Sequence, residues 1–256
     1  MKVTILQTDI KWAQPDENQS AANRLISENP GADLYVLPEM WSTGFITNPD
    51  QYLANINFNE SLDWMKETSQ LNNCAICGSL SIKTPQQQYK NRLYFVLPNG
   101  DCYYYDKHHL FTYGGENSCY KAGNTRTIAK YKNVRFLLQT CYDLRFPVWM
   151  RYKDDYDAII VVANWPKSRQ NAWDILLRAR AIENQCYVIG VNRIGRDDKC
   201  TYDGGSAIID AKGHSMTTEH ENREQAITAE LDINQLNLFR SKFPVLNDRD
   251  IFYYNK

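Results

Sequence analysis

The chain has 256 residues, 43% of them apolar, enough to bury one large core or two small ones. Its 29 basic and 30 acidic residues leave a formal charge of -1, which gives no electrostatic reason for binding nucleic acid or an anionic membrane. The opening stretch MKVTILQTDIKW is too short and interrupted for a signal peptide or a span, and no later segment is long and apolar enough to cross a bilayer. Seven scattered cysteines, Cys74, Cys77, Cys102, Cys119, Cys141, Cys186 and Cys200, are odd in number and read as reduced thiols, so a cytoplasmic protein is expected.

Strand and helix signals alternate along the chain. Val3 to Thr8 alternates as a first strand, Ala21 to Ser27 has helical spacing, and Asn29-Pro30-Gly31 stops it. Leu34 to Leu37 is a short buried strand that Pro38 ends, and Ser61 to Leu71 is a second helix. Cys74 to Ile82 and Leu93 to Leu97 are strands; Pro98-Asn99-Gly100-Asp101 is a hairpin turn, and Cys102 to Tyr105 returns from it. Val134 to Thr140 is a further strand, and Pro147 suits the first position of a helix, where its missing N–H costs nothing. Ala158 to Ala163 is an apolar strand. Asn171 to Asn184 is a helix with Trp173, Leu176, Leu177 and Ala181 on one face. Tyr187 to Val191, Ala207 to Ile209 and Gln225 to Leu231 close the series, and the tail begins at Asp232.

Neither repeat nor linker divides the chain. The apolar strands need cover on both faces, and the helices can supply one layer per sheet. An α/β single domain over residues 1–256, built as a four-layer α-β-β-α sandwich, satisfies both requirements. Periodicity alone leaves a doubly wound single sheet equally open.

Three residues that could do chemistry stand just past strand ends, the edge where sites form in sheets covered by helices. Cys141 follows Phe136 to Thr140 and precedes a turn into a helix, an elbow that exposes a side chain and whose helix N-terminus favours a thiolate. Glu39 follows Leu34 to Pro38; beside apolar side chains its carboxylate would gain basicity. Lys107 follows the strand that ends near Tyr105. Taken singly, each has a plainer reading: a structural cysteine, a surface glutamate, a solvated lysine. Together they supply nucleophile, proton carrier and oxyanion partner.

Leu37-Pro38-Glu39-Met40, Lys107 to Phe111 and Thr140 to Pro147 resemble, in this order, the three catalytic signatures of the nitrilase superfamily. Ala163-Asn164-Trp165-Pro166 and Ala179 to Gln185 resemble two further segments, and the similarity runs from Val3 to about Arg249-Asp250. The resemblance implies the same sandwich, homodimers or larger homo-oligomers, and no cofactor. It implies Cys141 as nucleophile, Glu39 as base, Lys107 as oxyanion stabiliser and Glu116 as a second glutamate that positions the site. Within the superfamily the chain looks most like the omega-amidase branch, which hydrolyses the distal amide of 2-oxoglutaramate or 2-oxosuccinamate. Asp197-Asp198-Lys199-Cys200 departs from that branch. Another amidase of the superfamily, such as an N-carbamoyl amino acid amidohydrolase, and a non-enzymatic binding scaffold are the alternatives. A carboxylate-bearing small-molecule substrate would need a paired charge. Arg145 is the candidate for it, weighed against a structural ion pair with Asp143 or another pocket-wall carboxylate. Trp165 and Phe111 would line the apolar length, and the backbone N–H of Tyr142 would share the oxyanion.

Two signals are set aside. Cys74 and Cys77 have the spacing of half a zinc site but no second pair, and in a strand they point to opposite faces; no metal is expected. His108 and His109 open a rival Cys–His mechanism, which has no use for Glu39 at a strand end.

Overall fold

The computed structural model describes residues 1–53, 58–217 and 222–253. In chain order the strands and helices are β1 (Lys2–Gln7), α1 (Pro15–Glu28), β2 (Leu34–Val36), α2 (Pro49–Leu53), α3 (Phe58–Asn72), β3 (Ala75–Lys83), β4 (Tyr89–Val96), β5 (Cys102–Asp106), α4 (Glu116–Cys119), β6 (Ile128–Tyr131), β7 (Val134–Thr140), α5 (Pro147–Met150), β8 (Ala158–Ala163), α6 (Gln170–Asn184), β9 (Tyr187–Asn192), β10 (Ile194–Arg196), β11 (Thr201–Asp203), β12 (Ala207–Ile209), β13 (Gln225–Glu230) and α7 (Ile233–Lys242).

One sheet has the order β13-β1-β2-β3-β4-β5 and another β12-β9-β8-β7-β6, with a small β10-β11 ribbon beside them. β1, β2 and β3 run parallel, as do β7, β8 and β9. Alternation along the strands sorts side chains into three cores. Val3, Ile5, Val36, Leu93 and Phe95 of the first sheet meet Phe136, Leu138, Ile160, Val162 and Ile189 of the second in the central layer. On the first sheet's outer face, Leu6, Tyr35 and Ile76 pack under Leu25 and Ile26 of α1 and Met65 of α3. On the second sheet's outer face, Leu137, Ile159 and Val161 pack under Trp173, Leu177 and Ala181 of α6. This is the expected four-layer α-β-β-α sandwich; two sheets hide both faces of every central strand, which one doubly wound sheet would do with helices alone.

Several boundaries differ from the reading. The first helix starts at Pro15 rather than Ala21, because proline with Asp16 and Glu17 behind it makes a good first turn. The tail from Asp232 contains a helix that the reading did not place: the Asp232 carboxylate accepts from the Gln235 N–H (3.0 Å) and caps α7. Of α7 only Leu236 is buried, so its sequence carries little periodic signal. Cys74 and Cys77 do face opposite ways, into the outer and the central core.

Candidate active site

β7 stops because Cys141 takes φ +46°, a left-handed backbone that a β-carbon disfavours. A 3-10 turn, Cys141–Arg145, follows and hands on to α5, opened by Pro147. Asp143 holds this strained elbow. Its Oδ2 accepts from the Thr140 N–H (3.1 Å) and the Tyr105 hydroxyl (2.9 Å), and its Oδ1 from the His109 N–H (2.8 Å). Sequence reading missed this role for Asp143, although its place two residues past the cysteine is where a capping side chain would sit.

Glu39 follows the last ladder bond of β2, from the Leu37 N–H to the Cys77 carbonyl, and is fully buried. Its Oε1 accepts from Lys107 Nζ (2.9 Å) and Asn91 Nδ2 (2.7 Å), and its Oε2 from the Asn164 N–H (2.9 Å). Asn164 begins the segment after β8, and its Nδ2 also donates to the Glu39 carbonyl oxygen (2.7 Å). The second sheet therefore grips a carboxylate that the first sheet presents.

Lys107 leaves the end of β5 with its ammonium fully buried. It donates 2.9 Å to Glu39 and 2.9 Å to Glu116 Oε2. Burial works against its charge, but Glu116 and Glu39 outweigh burial and hold its pKa well above the usual lysine value. Its two carboxylate partners favour the charged form. Glu116 opens α4 and accepts from the Phe111 N–H (2.6 Å) and Asn91 Nδ2 (3.1 Å). Burial pushes the Glu116 pKa up, with Lys107 opposing it. Asn91, on β4, escaped sequence reading because one asparagine in a polar strand carries no motif.

Cys141 keeps part of its surface open, yet burial and then the Glu39 carboxylate push its thiol well above the usual range. The expectation of a helix-favoured thiolate is corrected here: α5 begins only at Pro147, and the nearest anion is Glu39. The thiol instead shares the cavity wall with Glu39, whose carboxylate could serve as its proton acceptor.

Glu39, Lys107 and Cys141 line one cavity of about 1040 Å³, with Phe111, Tyr142, Arg145 and Trp165 in its walls. The Arg145 guanidinium lies 4.8 Å over the Trp165 ring, and the Phe111 and Tyr142 rings meet edge to face at 5.1 Å. Asp143 is taken by Thr140, Tyr105 and His109, so the alternative ion pair with Arg145 does not form; among the described residues no carboxylate pairs with Arg145. Arg169, a second guanidinium in the wall, lies 5.4 Å over Phe111. The histidines are elsewhere. His108 stacks on Trp149 (3.7 Å) with Nδ1 2.6 Å from the Gly123 carbonyl, and His109 stacks on Phe146 (3.9 Å) with Nδ1 2.8 Å from Asp143. Neither lines the cavity, which removes the geometry a Cys–His pair needs.

The model of the family described as carbon-nitrogen hydrolase matches residues 2–241. The omega-amidase YafV of Escherichia coli (strain K12) is 40% identical over 253 residues, 98% of each chain. The 2-oxoglutaramate amidase of Bacillus subtilis (strain 168) is 34% identical over 256 residues, 97% of this chain and 98% of its own. The crystal structure of XC1258 from Xanthomonas campestris, a CN-hydrolase superfamily protein with an arsenic adduct in its active site, superposes with a TM-score of 0.90. It is 34% identical and covers 100% of this chain and 99% of that one. A buried carboxylate–lysine cluster opening on a thiol, the two-sheet sandwich and matches along nearly the whole chain agree: this protein belongs to the carbon-nitrogen hydrolase family, enzymes that act on amides.

Proposed function

We propose that the protein is an omega-amidase, hydrolysing the distal amide of a small 2-oxo dicarboxylic acid monoamide, 2-oxoglutaramate or 2-oxosuccinamate, through a cysteinyl thioester. The observation that carries this reading is the convergence of Glu39, Lys107 and Cys141 in a cavity that also holds the uncompensated Arg145. The two amidases of E. coli and B. subtilis support the substrate class.

Glu39 takes the proton of Cys141 as the sulfur attacks the amide carbon. Charge collects on the carbonyl oxygen, and the Lys107 ammonium with the Tyr142 N–H receives it, at a point where low dielectric makes such donors strong. Glu116 keeps Lys107 charged and aimed. Glu39 passes the proton to the nitrogen, the C–N bond breaks, and ammonia leaves the thioester. Water then gives its proton to Glu39 as its oxygen attacks the thioester. The C–S bond breaks, and the sulfur recovers a proton. Arg145, held on an indole face rather than by a carboxylate, is free to grip the far carboxylate with two hydrogen bonds; Trp165 and Phe111 cover the chain between. A homo-oligomer working in the cytoplasm belongs to the same reading. Ile175 and Ile182, exposed and one heptad apart on α6, support the assembly.

An ammonia-release assay over 2-oxo acid monoamides, carbamoyl amino acids and nitriles is expected to favour the first group. Arg145→Lys should raise KM for 2-oxoglutaramate on the order of tenfold or more relative to an uncharged short amide, since only the charged substrate loses a bidentate partner. Equal losses on both would remove Arg145 from the substrate site.

A further inference from the structure

We propose that Asn91 is a positioning residue for the reaction: one side-chain amide orients the carboxylates of both Glu39 and Glu116 around Lys107. The inference rests on reading Glu39 as the base. Asn91 is 1% exposed on β4, and its side chain reaches both carboxylates. Its Nδ2 donates 2.7 Å to Glu39 Oε1 and 3.1 Å to Glu116 Oε1, one N–H for each. Its backbone carbonyl accepts from the Lys107 N–H at 3.0 Å, so the same residue also fixes where the lysine leaves its strand.

The direction of every bond is determined from the backbone outward. The Met40 N–H donates 2.8 Å to Ser79 Oγ, which occupies a lone pair and leaves the hydroxyl proton free to point elsewhere. That proton goes to Asn91 Oδ1, 2.9 Å away. With its oxygen so engaged, the amide must turn both N–H groups toward the carboxylates. An aspartate there would offer no donor, and an alanine would leave Lys107 as the one remaining group bonded to both carboxylates among the described residues. Met40 directly follows Glu39, so the relay closes a loop: the turn that presents the base also sets the amide that holds it. The Oε1 edge of Glu39 is thus committed to Lys107 and Asn91, and its Oε2 edge to the Asn164 N–H, which fixes the plane of the carboxylate beside Cys141.

The charged or titratable groups facing this pair are Lys107 from the end of β5, Cys141 from the turn after β7, and Tyr120 beyond α4, whose hydroxyl is 2.7 Å from Ser81 Oγ. Only Lys107 and Asn91 donate to both carboxylates among the described residues. A donor to the ionised form favours it, so losing the amide makes these carboxylates easier to protonate.

The test is the pH profile of kcat/KM on 2-oxoglutaramate for wild type, Asn91→Ala, Asn91→Asp, Ser79→Ala and the Ser79→Ala/Asn91→Ala double variant, with Glu39→Gln as reference. In Asn91→Ala the acid limb should move to higher pH by about one unit, and kcat should fall on the order of tenfold to a hundredfold with KM little changed, as a lost charge-assisted bond implies. Asn91→Asp should fall further. Ser79→Ala should move the limb the same way by less, and the double variant should be no worse than Asn91→Ala, because the hydroxyl acts through the amide. An unmoved acid limb, or additive losses in the double variant, overturns the proposal. If Asn91→Ala fails to fold, the limb of Ser79→Ala decides. Full activity in Glu39→Gln would instead overturn the reading of the base; an inactive Glu39→Gln with an unmoved limb in the others overturns the role of Asn91 alone.

Discussion

The Cys141 thiol is held protonated by its surroundings, so its reactivity depends on Glu39 in two opposed ways. In the proposed mechanism Glu39 removes the proton during attack; as a neighbouring anion, it opposes the resting thiolate. Glu39→Gln should separate the two effects. Turnover should fall on the order of 10²–10⁴-fold, the usual cost of losing a general base. Alkylation of Cys141 by iodoacetamide should become faster, because Lys107 remains beside the sulfur and the carboxylate charge is gone. Peptide mapping after brief labelling, with exposed Cys102 as internal reference, measures this. Slower alkylation in Glu39→Gln would mean that the thiolate forms only through the carboxylate. At this scale the sequence was readable wherever a residue sat in a motif: Glu39, Lys107, Glu116, Cys141, Arg145, Tyr142, Trp165 and Phe111 all come to one cavity or its supporting cluster. Asn91 and Asp143 were not recognised, because their importance lies in which partners they meet across 25 or more residues of chain.

Elements place these residues by close approach as much as by hydrogen bonds. Gly78, in β3, lies under the turn that carries Glu39. A β-carbon there would stand 2.8 Å from Trp41 Cδ1 and 2.9 Å from Leu37 Cβ, the residues two positions either side of the glutamate. Gly78→Ala should therefore push this turn off β3. The expected cost is about 1–3 kcal/mol in stability, as overpacking typically gives, and a larger proportional loss of kcat than of substrate affinity. Urea melts and steady-state kinetics check both; wild-type kcat in a stable Gly78→Ala protein would show that the turn can move without displacing the base. The apolar runs of β3, β7, β8 and β9 announced themselves in the sequence because both their faces are buried. β6, β10 and β11, only three or four residues long, are defined by partners, and partners cannot be seen in a local window.

At the scale of the whole molecule, the candidate site is assembled where two sheets meet. Glu39, Lys107 and Asn91 come from the first, Cys141 and Asn164 from the second, and the Glu39–Asn164 bond joins residues 125 apart. Phe136, buried in the central layer 5.4 Å from the Phe95 ring across the interface, holds the sheets at this spacing. Phe136→Ala should cost about 3–5 kcal/mol, and activity should be lost at lower urea than the helical signal of the outer layers. Coincident loss of activity and helix would show that docking and folding are one event. The two-sheet arrangement was readable only as one of two options, because periodicity reports that a face is buried and not what buries it.

The interlocking of the two sheets has a consequence during synthesis. A ribosome releases Glu39 long before Cys141, and the segment after β8 that completes the base's grip emerges later still. Until that segment docks, Glu39 lacks the hydrogen bonds that Asn164 gives it. The second sheet's hold on Glu39 is therefore missing from any chain stalled before Asn164.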